Sequence, residues 1–164
     1  MVPTKRLFDL AESEGIAIEW YKFKCGILGH YDRDPDLICP VITLSCHLQR
    51  DERLLRCVFA EELGHHFTSV GKLVSAACDA ERQRLSRSEY RAVKYGVELM
   101  IPLDEFCAHV GHRTLDEIAD IFFVTKDFVR FRAKQLHSII EQGGDFYGKR
   151  KIEVASSWPY REAR

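Results

Sequence analysis

The sequence predicts an α+β fold in which a small antiparallel sheet lies beside a long helix and a helical part follows. Three observations predict it: a helical period at the start, three short strand-like runs after it, and helix patterns that dominate beyond residue 51.

Residues 4–14 read as the first helix, with Thr4 as N-cap, Leu7, Leu10 and Ala11 on one face, and Gly15 as the stop. Over 16–22, Ile16, Ile18 and Trp20 alternate with more polar residues, the mark of a half-buried strand. A turn at 25–29 leads into a second strand around His30 and Tyr31, and 32–36 is a loop by composition. The third strand spans 37–45, where Pro40 cannot donate to a ladder and points to an edge position or a bulge. Residues 71–85 show no clear period and read as an irregular connection.

From 86 to 101 the helical period returns, with Ser86 able to cap and Pro102 as the end. Glu89, Ala92, Val93, Gly96 and Met100 share a face, and the small Ala92 and Gly96 let another helix approach closely beside Glu89. A lone carboxylate on such a face is costly unless something pairs with it. Either Glu89 closes a capping box with Ser86, or it is a metal ligand supplied by a second helix.

Residues 113–137 read as two helices around a tight turn at 123–125, in helix-turn-helix spacing, with Thr114 and Glu117 as a capping box. Arg130, Arg132 and Lys134 make the second helix basic. A formal net charge of -1 nevertheless gives little support to a nucleic-acid footprint, so the pair is expected to serve the fold or a protein partner rather than to bind DNA directly. The expected organisation is an α+β domain over 1–111 that holds the helices at 51–67 and 86–101, the helix-turn-helix-like segment over 112–142, and a flexible tail over 143–164.

Hydrophobic content of 46% and charged content of 30% over 164 residues are those of a globular protein with a real core. No apolar run reaches the roughly 20 residues of a membrane span, and the start lacks a signal-peptide pattern, so a cytoplasmic location is expected. The six cysteines include no C-x-x-C pair, which argues for reduced thiols and against a cysteine zinc site.

The chemistry gathers on the helix at 51–67. Glu61 and His65 are four apart and project from one side, with Glu62 between them, while Phe59, Leu63 and Phe67 form an apolar stripe on the other. The string E-E-L-G-H resembles H-E-x-x-H, in which ligands at i and i+4 flank a general-base Glu, but Glu61 stands where the first His would be. Two alternatives stay open at this point. A Glu pair on a solvated face with a His near the helix end needs no metal, and Glu62 and His66 are also four apart.

Residues 57–68, together with Glu89-x-x-Ala92-x-x-x-Gly96-x-x-Leu99-Met-x-Pro102, make the chain similar to the ImmA/IrrE family of metallopeptidase-like proteins carried by phages and mobile elements. The resemblance covers about residues 5–140 and implies a zincin-like minimal metallopeptidase domain. It places Glu62 as the general base and His65 and Glu89 as metal ligands, with Glu61 at the first ligand position. One divalent metal is implied, zinc in the first place and manganese as the alternative, since oxygen donors suit harder ions. The implied activity is proteolysis of a transcriptional repressor encoded nearby. The alternative is a catalytically inactive antirepressor or sensor that binds the repressor without cutting it.

Overall fold

The computed structural model describes residues 1–24, 26–34, 36–68 and 79–141, apart from the side chains of 79–84. The expected flexible tail at 143–164, Cys25 and Cys78 lie outside the described residues.

Helix α1 (Thr4–Ser13) buries Leu7 and Ala11. Thr4 is its first helical residue and not its N-cap, a position held by Pro3. The Thr4 hydroxyl instead donates to Glu52 Oε1 (2.6 Å) and accepts from Arg56 Nη1 (3.1 Å). Gly15, at φ +67°, ends the helix as expected: its N–H reaches the Glu12 carbonyl while that of Ile16 reaches Ala11.

The fold is α+β, as the sequence predicts, but the sheet is mixed and not antiparallel. Strands β1 (Ala17–Tyr21), β2 (Gly29–Asp32) and β3 (Val41–Ser45) lie in the order β1-β3-β2. β3 pairs parallel with β1 and antiparallel with β2. The third strand is therefore central, and Pro40 escapes the ladder by lying just before it, with its carbonyl accepting from Ala17 N (2.9 Å). β3 supplies the fully buried Ile42 and Leu44, and an apolar strand gains most in the middle. Side-chain period reports which face is buried, not which neighbour pairs, so this order was hidden in the sequence.

After a 3₁₀ turn (Cys46–Arg50), helix α2 (Glu52–Thr68) starts with Asp51 accepting from Leu54 N (3.0 Å). Phe59 and Leu63 are fully buried. Phe67 departs from the expected stripe: it is 39% exposed and stacks on Tyr95.

Helix α3 (Asp79–Met100) begins well before Ser86, so part of the expected irregular connection is helical. Ser86 lies inside the helix and cannot be its N-cap, which removes the capping-box reading of Glu89. α3 runs antiparallel to α2 at backbone contact. A Cβ on Gly64 would overlap the Ala92 carbonyl, and one on Gly96 would lie 2.8 Å from the Ala60 carbonyl carbon. Small residues spaced by four on both helices allow this approach.

A short helix not expected from the sequence, α4 (Leu103–His109), follows Pro102 and buries Phe106. α5 (Leu115–Phe122) carries the expected Thr114–Glu117 capping box, and Phe123 at φ +52° turns the chain toward α6 (Lys126–Glu141). Phe122, Val124, Phe128, Val129 and Leu136 share one core with Leu7, Ile42, Leu44, Phe59 and Leu63.

Arg56, 1% exposed, ties this pair to the motif helix. Its guanidinium donates to the carbonyls of Val2 (2.7 Å), Phe123 (3.1 Å) and Phe122 (3.4 Å). On α6, Arg130 pairs with Asp127 (2.7 Å), while Arg132 is buried against Gln135 (2.8 Å) with Glu98 at 3.7 Å. Among the described residues no helix is long and apolar enough to cross a membrane. Cys39, Cys46, Cys57 and Cys107 are free thiols, Cys57 as part of the core.

Candidate metal centre

The backbone contact between α2 and α3 brings Glu89 against His65, Oε2 to Nε2 at 3.4 Å. Glu61 stands one turn from His65 on α2. One donor atom from each of Glu61, His65 and Glu89 lies within 4.8 Å of the others. Two ligands of a first-row ion sit at most about 4.2 Å apart, twice a bond of about 2.1 Å. The trio thus fits such an ion with a small closing movement, which Glu89, its side chain 53% exposed, is free to make.

Burial and mutual repulsion set the protonation of the group. Burial, then Glu89, raises the pKa of Glu61 above the usual carboxylate value. Glu62 is pushed up to about 8, by burial first and by Glu61 and Glu89 after it. Burial also lowers the pKa of His65, against the opposing pull of Glu89 and with the help of nearby His30. A neutral imidazole is the form a metal requires.

These residues line an open cleft of about 640 Å³. Its floor is Val58, Glu61, Glu62 and His65 of α2, its far wall Leu85 and Glu89 of α3, and its near wall the run from Gly26 to Tyr31 with Arg33. Glu62 is in the cleft but outside the trio, 8% exposed, with its carboxyl against Gly29 of β2. His66 belongs to neither group. It turns to the Tyr31 hydroxyl (Nδ1, 2.9 Å) and to Glu14 (Nε2, 3.7 Å), which rules out the Glu62/His66 register. His47 bonds Ser45 (3.2 Å) and, like His112, does not line the cleft.

A family model, Peptidase_M78, described as the IrrE N-terminal-like domain, matches residues 11–134. The chain belongs to this family. The match runs from the end of α1 into α6 and so takes in the whole cleft. Peptidase_M78 proteins are metallopeptidase-like or regulatory and metal-dependent in general, in keeping with the Glu-His-Glu group found here. No curated protein and no solved structure matches the chain.

The near wall was missed at the level of sequence. Gly29 and Tyr31 stand at alternate positions of β2 and so share a strand face, and Arg33 follows just past its end. That spacing was the available signal, but Gly29 reads by composition as part of a turn.

Proposed function

We propose that the protein is a metal-dependent endopeptidase that cleaves a transcriptional repressor of a phage or mobile element. The observation that carries this reading is Glu62, a carboxyl that shares the cleft with the trio yet remains outside it. Glu61, His65 and Glu89 would hold one divalent ion, zinc or, with two oxygen donors in the set, manganese. Such an ion, when bound, supplies positive charge that polarises a peptide carbonyl and lowers the proton affinity that Glu61 and Glu89 raise at Glu62.

Glu62 then accepts a proton from water as the water oxygen bonds to the peptide carbon. It returns that proton to the amine nitrogen as the C–N bond breaks. β2 supports an extended substrate: among the described residues its strand partner is β3, on one edge, and its residues line the cleft, where a peptide strand could add to the other edge. The helix pair α5–α6 serves the fold and a protein partner in this reading. Arg132 is buried and Arg130 is paired, which leaves little of the basic face for DNA phosphates.

Glu61 favours a second reading, an antirepressor that binds without cutting, because a carboxylate replaces the expected imidazole at the first ligand position. Co-expression with the adjacent repressor separates the two. A shortened repressor with wild type and a whole one with Glu62→Gln supports the peptidase. A whole repressor released from its operator by both proteins supports the antirepressor.

A further inference from the structure

We propose that β2 positions the Glu62 carboxyl, through bare backbone at Gly29 and through the Tyr31–His66 bond two residues on. The catalytic consequence rests on Glu62 being the base, as read above.

Gly29 and Tyr31 pair with Leu44 and Ile42, both fully buried, so they lie on the face of the sheet that looks toward the core. A Cβ on Gly29 would overlap Glu62 Oε1 and lie 2.9 Å from its Cγ and 2.8 Å from Val58 Cγ1. Gly29 does not have the positive φ that demands glycine, unlike Gly15 and Gly26. What requires glycine here is space for the carboxyl.

A second contact keeps β2 at that distance. The Tyr31 hydroxyl bonds His66 Nδ1 at 2.9 Å, the rings meet edge to face, and Glu14 faces the other imidazole nitrogen at 3.7 Å. Two strand residues advance about 6.6 Å, and the four helix residues from Glu62 to His66 advance about 6 Å. The contacts Gly29–Glu62 and Tyr31–His66 therefore keep step along β2 and α2. An alanine at 29 would chiefly meet the flexible end of a Glu side chain, which can swing aside. The fold survives such a change, while the carboxyl leaves its place.

Thermal melts of Gly29→Ala in the wild-type and Glu62→Ala backgrounds test the contact without any substrate. Melting should fall by about 3 °C or more in the wild-type background and by clearly less in the Glu62→Ala background, where only the contact with Val58 remains; equal losses in both overturn the proposal. A second arm follows hydrolysis of fluorescein-labelled casein. Gly29→Ala should lower kcat at least tenfold with KM and metal affinity within threefold, and Tyr31→Phe should lower kcat in the same sense. Unchanged kcat in both variants overturns the positioning role. If wild type leaves casein whole, the peptidase reading is the one in question, and the melts decide the positioning by themselves.

Discussion

Gly64 of α2 and Ala92 of α3 are in backbone contact: there is no room for a Cβ at 64, which would lie 2.8 Å from both the Cα and the carbonyl carbon of Ala92. This contact sets the distance between the two helices that carry the candidate ligands, and it lies next to the 3.4 Å approach of His65 and Glu89.

Gly64→Ala should therefore damage fold and site together. The collision is with backbone, which no rotamer relieves, so the loss should be about 3 kcal/mol in denaturant unfolding. Metal affinity, read by calorimetry on the folded fraction, should fall at least about tenfold, the usual scale when support for a ligand is lost. A variant with wild-type stability and affinity would show that the helices are not so closely held.

Arg56 makes the next prediction. Its buried guanidinium satisfies the carbonyls of Phe122 at the end of α5, of Phe123 just after it and of Val2, and removing it takes that donor from all three. Arg56→Ala should cost about 3 kcal/mol, and limited proteolysis should then cut around residues 122–125 first. Arg56→Lys should rescue little, because an ammonium cannot span acceptors placed for a planar fork.

The helix contact was half legible in the sequence. Ala92 and Gly96 announce a close-packing face with Glu89 on it, and Ala60 and Gly64 repeat that spacing on α2. The E-E-L-G-H string likewise fixes its own geometry, because i and i+4 meet on any helix. Strand order and the part played by Gly29 were not legible, since both depend on which distant segments meet. Ser86 misled for a related reason: a capping box is a local pattern, and the helix simply continues through it. Glu62 is also more buried than its place on a Glu-Glu pair suggests, because β2 covers it.

The metal-free protein should lose stability as pH rises through neutrality, and Glu62 should account for part of the loss. Its pKa is raised to about 8 in the fold from an ordinary 4.5, so the folded state holds a proton that the unfolded chain releases. Its contribution is full below about 4.5, declines as pH rises, and is gone above about 8. His65, whose pKa is lowered by burial, acts in the opposite sense near its ordinary 6.5. The difference between wild type and Glu62→Gln isolates Glu62. Melts from pH 5.5 to 8.5 should show a shallower decline for Glu62→Gln, and parallel curves would contradict the buried carboxyl.

Metal should stabilise the folded chain by mass action, since the unfolded chain brings no such trio together. Adding a divalent ion at about 100 times its Kd should contribute about 2.7 kcal/mol, and chelation should remove it. His65→Ala and Glu89→Gln should melt alike with and without the ion. A wild-type melting point that ignores zinc and manganese would mean that the trio is only an acidic cluster.

Intact-mass spectrometry of purified repressor incubated with the metal-loaded protein tests the peptidase reading most directly. Two fragments should form whose masses sum to the repressor plus one water, and chelation should stop them. Glu62→Gln should form none while keeping its fold and metal content, because the base acts in the chemical step. Repressor that stays at its full mass, with wild type and Glu62→Gln equally able to lift it from its operator, would contradict proteolysis.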